Sequence, residues 1–187
     1  MKKVLFVGLG IVFLIAGCKK NGSNPVGPPQ TGEDWTFPPG GNKFAVTLVA
    51  STSTPAVGSS FDVNVVLYNC SQVFGVSLKV GYAADKVHIN EILTGPYLSP
   101  DTAAISISKI DSSFSTVSYG ATFKAGSASA ATTAQSGVLV KLKCTAKQAG
   151  SAPFTLAGQE MHIETSDGSP VPGFASIALE NDTVAVQ

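Results

Sequence analysis

The chain has 187 residues, of which 44% are hydrophobic and 13% are charged; 12 lysines balance 12 acidic residues, and arginine is absent. This composition argues against nucleic-acid partners, because phosphates and base edges are recognised by a basic face that usually carries guanidinium groups. The hydrophobic content also excludes a chain that is disordered throughout. The length fits one domain with appendages.

Residues 1–17 have the pattern of a cleaved export signal. Lys2 and Lys3 precede an apolar run at 4–14, which is shorter than the roughly 20 residues that a membrane-spanning helix needs. The ending Leu14-Ile15-Ala16-Gly17-Cys18 resembles the lipobox of bacterial lipoproteins. This resemblance implies cleavage before Cys18 and acylation of its thiol. The alternative is an ordinary signal peptide with an incidental cysteine.

The resemblance to lipoproteins also implies a location. We expect an exported protein that a lipid anchors to the bacterial cell envelope. Position 19 is Lys, unlike the Asp of the inner-membrane retention signal, so in a Gram-negative cell the expected site is the outer membrane.

Residues 18–43 are predicted to be the acylated cysteine and a linker. Five glycines and five prolines fall within 19–43 and leave no periodic apolar face. A flexible coil of this length would span about 25–30 Å. Trp35 and Phe37 stand out in it. They either pack onto the edge of the following domain or form a recognition segment.

Residues 44–187 are predicted to be an all-β domain. Apolar residues recur at every second position between turn-forming segments, which is typical of half-buried strands. The stretch 83–93 is ambiguous and could include a helical turn, and the low-complexity stretch 124–137 is predicted to be a loop or irregular edge. Strands are predicted at 44–49, 61–67, 76–82, 104–110, 115–123, 138–146, 153–156, 161–164, 177–179 and 183–186. Their number and spacing favour a two-sheet antiparallel β-sandwich.

The order of several segments resembles that of cohesin domains. Two departures are Ala83 and Ala84, which stand where the family usually has Asp-Pro. The segments that carry the resemblance are Val57-Gly58-Ser-Ser-Phe61-Asp-Val63-Asn-Val65, Phe74-Gly75-Val76-Ser-Leu78-Lys-Val80-Gly-Tyr82, Gly137-Val138-Leu139-Val-Lys-Leu142, Asp167-Gly168-Ser-Pro170-Val171 and Glu180-Asn-Asp-Thr183-Val184-Ala-Val186.

The resemblance implies a jelly-roll sandwich of the type that cohesins share with some cellulose-binding modules. It also implies non-catalytic binding of a protein partner, such as the dockerin of an enzyme for polysaccharide breakdown. Direct carbohydrate binding, by analogy of fold, and a structural envelope lipoprotein are the alternatives. If Val76, Leu78 and Val80 point inward, Ser77 and Lys79 lie on the partner-binding side of their strand. Val117, Tyr119, Ala121 and Phe123 are expected in the core.

Catalytic chemistry finds little support in the sequence, and we expect no enzyme. His88 and His162 stand between apolar neighbours and should point outward. The carboxylates are scattered, with no pair suited to glycoside hydrolysis. No cofactor is expected; weak calcium candidates lie in turns, where Asp and Asn also serve backbone hydrogen bonding: Asp85, Asp167, Asn181 and Asp182.

Two cysteines remain once Cys18 is acylated. Cys70 and Cys144 could form a disulfide in an exported protein. Alternation instead places Cys144 on the inner face of its strand, after Val138, Val140 and Leu142, and Cys70 on an outer face. Two separate thiols are therefore the other interpretation.

Overall fold

The computed structural model describes residues 24–25, 32–40, 43–98, 104–124 and 136–187. The predicted signal peptide, Cys18 and most of the predicted loop at 124–137 lie outside this part. No helix within the described ranges is long and apolar enough to cross a membrane. The strands are β1 (Asn24–Pro25), β2 (Ala45–Ala50), β3 (Ser60–Tyr68), β4 (Gly75–Tyr82), β5 (Val87–Thr94), β6 (Ala104–Asp111), β7 (Thr116–Phe123), β8 (Gly137–Ala146), β9 (Gly150–Leu156), β10 (His162–Glu164), β11 (Ala178–Glu180) and β12 (Asp182–Val186).

The strands form two sheets. The larger has the order β1-β6-β7-β4-β9-β12, with β10 also paired to β4, and the smaller has the order β11-β2-β3-β8-β5. Neighbours are antiparallel, except that β11 runs parallel to β2. The predicted two-sheet antiparallel β-sandwich is thus confirmed. The ambiguous stretch 83–93 contains a tight turn followed by β5.

The main core lies between the sheets. Successive side chains of a strand point to opposite faces, so β4 turns Val76, Leu78, Val80 and Tyr82 toward β3 and β8. These positions are buried, as their alternation predicted. The expected core residues of β7 are also buried: Val117, Tyr119, Ala121 and Phe123.

The smaller sheet is covered on its outer face too. Residues 33–38, which we call the strap, cross this face in an extended form, with positions 33, 35 and 37 half-buried and the residues between them exposed. Trp35 and Phe37 pack against Ala45, Val66, Tyr68 and Val138. The segment predicted as a linker therefore differs in its last part, which lies on the domain, and the packing interpretation of the two aromatic residues is confirmed.

Val138 was expected on the inner face and lies in this outer cluster instead. The reason is a bulge: Val65 and Val66 of β3 pair with Val140 and Val138. Leu139 is therefore an extra residue, which reverses the alternation in β8.

Lys141 of β8 ties the strap to the sheet. Its side chain is 1% exposed, and its Nζ donates to Glu33 Oε2 at 3.0 Å and to the carbonyl of Asp34. The same Nζ lies 3.4 Å from Asp62 Oδ2 and 4.7 Å from the centre of the Trp35 ring. A buried charge is tolerated only when it is paired and hydrogen-bonded. Since most of these partners come from the strap, the strap is an integral part of the domain.

Further contacts hold the strap at its other end. Phe37 meets Tyr68 edge to face, with ring centres 5.8 Å apart, and Tyr68 Oη donates to the carbonyl of Pro38 at 2.6 Å. The next residue but one, Gly40, lies so close that a Cβ there would be 2.1 Å from the Tyr68 ring. Only glycine fits at this crossing.

Cys70 and Cys144 are free, buried thiols, so the disulfide interpretation is wrong. Cys144 lies on the inner face as expected. The outward placement of Cys70 is also wrong, because β3 ends at Tyr68 and Asn69 adopts φ +51°, which breaks the alternation and turns Cys70 into the core. Burial raises the pKa of Cys70 to about 11 and the pKa of Cys144 to about 12.

We predict that neither thiol reacts in the folded protein. Alkylation requires the thiolate, which both burial and a raised pKa suppress at pH 8. Mass spectrometry after treatment with iodoacetamide should show no label on Cys70 or Cys144 in buffer, and full labelling of both in denaturant without reductant. Failure to label in denaturant would show a disulfide and contradict this assignment.

We also predict that acid loosens the strap. Hydrogen bonds from Lys143 and Lys141 hold the pKa of Glu33 below its ordinary value of 4.5. A lowered folded-state pKa means that the ion pair stabilises the strap fully above about pH 4.5 and that this contribution is lost as the pH falls through the folded pKa. Two further carboxylates interact with the Lys141 ammonium group, those of Asp62 and Asp34.

Trp35 is the chain's single tryptophan, so its fluorescence reports on the strap. Its emission should shift to the red in this acid range, before the far-ultraviolet circular dichroism of the sheets is lost. In Glu33→Gln the shift should already be present at neutral pH and should no longer follow the titration. A Glu33→Gln variant with an unchanged acid transition would show that another group controls it.

Candidate docking face

The outer face of the larger sheet is open over β10, β4, β7 and β6, where cross-strand pairing arranges side chains in two rows. Residues directly opposite in antiparallel strands share a face. In one row His162 pairs with Ser77, Ser77 with Gly120, and Gly120 with Ile107. The adjacent row contains Glu164, Gly75, Thr122 and Ile105 in the same order.

In the first half of strand β6, Ile105 and Ile107 lie outside and Ser106 lies inside. Ile105 and Ile107 are 54% and 58% exposed, whereas Ser106 is buried. Thr94 Oγ1 of β5 donates to Ser106 Oγ at 2.9 Å. This bond satisfies the buried hydroxyl and fixes the register, because a buried hydroxyl without a partner is costly. Two large aliphatic side chains are consequently held in solvent.

The two rows enclose a groove of about 290 Å³. Its floor consists of the small residues of β4 and β7, with Gly75, Ser77 and Gly120 at the positions facing out. One bank is apolar, formed by Ile105 and Ile107, and the other is polar, formed by His162 and Glu164. An apolar patch with a polar border is the usual anatomy of a protein-binding surface.

The two residues predicted to bind a partner have different surroundings. Ser77 lies in the floor of the groove. Lys79 occupies the next position along β4 on the same face and forms an ion pair with Glu160, in the short turn Gly158–Glu160 that precedes β10. Ser77 is therefore available for contact at the centre of the site. Lys79 lies at the margin of the site and is already engaged in an ion pair.

The calcium candidates are engaged in separate interactions, and Asp182 lies at the start of β12 rather than in a turn. Asp85 lies beside Lys86, with Oδ2 3.6 Å from Nζ, and Asp167 accepts hydrogen bonds from Thr165 Oγ1 and the Ser169 amide. Asp182 accepts from the amides of Ala50 and Thr183. Asn181 Oδ1 accepts from the Leu156 amide. Within the described ranges no group of three or more His, Cys, Asp or Glu side chains could hold a metal ion.

His88 and His162 are both exposed, as expected. His162, however, belongs to the groove, and the sequence analysis assigned only its neighbour Ser77 to a binding face, not His162, Glu164 or the two isoleucines of the apolar bank. The signal that could have revealed the apolar bank is the alternation of Ile and Ser in Ile105-Ser106-Ile107-Ser108. This alternation is compatible with either the isoleucines or the serines facing solvent, so the sequence alone does not show which set is exposed.

Comparison with solved structures identifies sandwiches of the same kind. A type II cohesin domain from the cellulosome of Acetivibrio cellulolyticus has a TM-score of 0.64 at 11% identity, covering 76% of this chain and 95% of the other. A non-cellulosomal cohesin from the hyperthermophilic archaeon Archaeoglobus fulgidus has a TM-score of 0.59 at 19% identity, covering 76% and 91%. The third cohesin ScaC of Acetivibrio cellulolyticus, solved in complex with the ScaB dockerin, has a TM-score of 0.61 at 15% identity, covering 76% and 97%. At such identities the similarity shows the fold alone.

Among curated proteins, no sequence matches. A family model described as "Cohesin domain" matches residues 45–171, a span from the first residue of β2 to just beyond β10. The match covers more than half of the chain and includes the four strands of the groove. The chain therefore belongs to the cohesin domain family, as the sequence motifs indicated.

Proposed function

We propose that this protein is a non-catalytic, lipid-anchored surface adaptor that binds a protein partner in the groove on the larger sheet. The single observation that carries the proposal is the exposure of Ile105 and Ile107 beside a floor of small residues. Burying such side chains against a partner yields about 1.5–3 kcal/mol each. A flat, glycine-lined floor also allows close approach of another backbone.

The class of partner follows from this surface and from the family. The ScaC cohesin binds the ScaB dockerin in its complex, and a dockerin module is accordingly the first partner to test. Carbohydrate-binding faces commonly present a row of Trp or Tyr rings, but the residues that line the groove include no Trp, Tyr or Phe. Among the described residues, the exposed large hydrophobic side chains are Val57, Ile105, Ile107 and Phe114. This set favours a protein partner over a polysaccharide.

The adaptor role further requires an attachment point, which we assign to Cys18. The ending Leu14-Ile15-Ala16-Gly17-Cys18 supports it. The mature chain is faintly acidic, since ten lysines and 12 acidic residues remain after residue 17, so a polybasic patch would not supply membrane affinity. An acyl group on Cys18 would supply it instead.

We predict that a charge on the apolar bank abolishes docking. Ile107→Asp should weaken partner binding by about 2 kcal/mol, roughly thirty-fold, because a carboxylate would be desolvated at the centre of the interface. The fold should be unaffected, since the side chain is exposed. Binding is measured by calorimetry with dockerin modules, in calcium and in chelator, and by capture from an extract of the source cells when no dockerin binds.

The matched control is Val57→Asp, which introduces the same charge at another exposed aliphatic residue, 51% exposed and away from the groove. It should bind as the parent chain does. Equal binding by the parent and Ile107→Asp would remove the groove from the interaction. Binding to a polysaccharide panel with no protein partner would overturn the proposal in favour of carbohydrate recognition.

We predict that Cys18→Ser releases the protein from the membrane. Without the thiol no thioether to a lipid can form, so the substituted chain should move from the membrane fraction to the soluble exported fraction. It should also lose incorporation of a labelled fatty acid. A Cys70→Ser chain is the control and should stay in the membrane fraction. Retention of Cys18→Ser in that fraction would contradict the lipid anchor.

A further inference from the structure

The edge of the larger sheet at β6 is closed by the chain's own N-terminal segment. Strand β1, residues Asn24–Pro25, pairs antiparallel with β6, with Asn24 opposite Ser108 and Pro25 opposite Ile107. β6 has eight residues, so β1 occupies only the middle of this edge. An edge strand offers unpaired amides and carbonyls to any second strand, and proline blunts such an edge because it has no N–H to donate.

A two-residue strand is too short to persist by itself, and the strap supplies its attachment. Only seven residues separate Pro25 from Glu33, where Lys141 and Lys143 hold the chain to the smaller sheet. A short tether keeps β1 at a millimolar effective concentration near β6. We call the combination of β1 and the strap the belt.

We propose that the belt keeps the protein monomeric by blocking antiparallel pairing of β6 with β6 of a second copy of this chain. A two-fold axis at Ile107 would place Ile107 opposite its copy and Ile105 opposite Lys109 of the second copy, all on the outer face. This pairing would join the two larger sheets and bury part of the exposed Ile107 side chain. β1 lies at residues 107 and 108, where such an axis would pass.

The second copy is the occupant that this edge fits, for two reasons on the strand itself. The edge demonstrably accepts an antiparallel strand, because β1 is one. The strand also pairs like with like at its centre, since a two-fold axis at Ile107 would place the two exposed Ile107 side chains directly opposite each other. Exposed aliphatic residues on a free edge strand are a typical site of edge-to-edge association.

The experiment measures the mass of the chain from Cys18 onward by sedimentation equilibrium over the micromolar range, with Cys18→Ser to remove the terminal thiol. Two changes open the belt. Deletion of residues 19–31 removes β1 and leaves the strap and all other described elements in place, and Trp35→Ala with Phe37→Ala releases the strap. Circular dichroism establishes that each variant is folded.

The parent chain should sediment as a monomer, and the deletion variant should double in mass with rising concentration. Adding Ile107→Lys should return it to a monomer, because two ammonium groups would then face each other across the axis. Val57→Lys, at an exposed site elsewhere, should leave the dimer intact. The variant with Trp35→Ala and Phe37→Ala should also dimerise if it remains folded. If it unfolds, the deletion variant alone tests the proposal.

Three outcomes would overturn the proposal. One is a deletion variant that stays monomeric. Another is a dimer that persists with Ile107→Lys, which would place the contact elsewhere. The third is a parent chain that is already a dimer. Because the readout is mass and not partner binding, failure here would leave the proposed docking function untouched, and the converse also holds.

Discussion

The buried ammonium group of Lys141 is the constraint on which the arrangement of the domain depends. On an open sheet this lysine would extend into water, but it is 1% exposed and surrounded by Glu33, Asp62, the Asp34 carbonyl and the Trp35 ring. Removing these partners while the group remained covered would cost several kcal/mol. The strap and the lysine therefore depend on each other. As a result, the smaller sheet is covered on both faces where the strap packs on β2, β3 and β8, and the groove lies on the open face of the larger sheet.

Because the strap covers the outer face of the smaller sheet, the strands under it no longer show the simple alternation of buried apolar and exposed polar residues. In β3, residues 63 to 68 are all buried, although a strand with one wet face would alternate. In part of β6 the inverse holds: Ser106 lies buried on the inner face, whereas Ile105 and Ile107 lie exposed on the outer face. Among the described residues, no segment covers the exposed isoleucines in the way that the strap covers the smaller sheet. Burial of these two adjacent side chains against a partner would still yield free energy.

Some parts of this arrangement could be predicted from the sequence and others could not, as four examples show. β4 was predictable because Val76, Leu78, Val80 and Tyr82 share a parity and no bulge interrupts them. The orientation of β6 was not, because its register depends on Thr94, a tertiary partner twelve residues away. Cys70 was misplaced because the positive φ of Asn69 ends the alternation. The strap was hidden because proline and glycine mask the periodicity of Glu33, Trp35 and Phe37, whose partner Lys141 lies about a hundred residues further along.

The same physics gives the N-terminal segment more than one role. A Pro- and Gly-rich sequence has little tendency to form regular structure of its own, so its conformation is set by the surfaces that it meets. One such surface is the sheet around Lys141, and another is the edge of β6. Without this pairing the edge would be open beside two exposed isoleucines, Ile105 and Ile107. With β1 paired to β6 and Glu33 held by Lys141, the N-terminal segment covers the middle of this edge and leaves the groove beside it accessible.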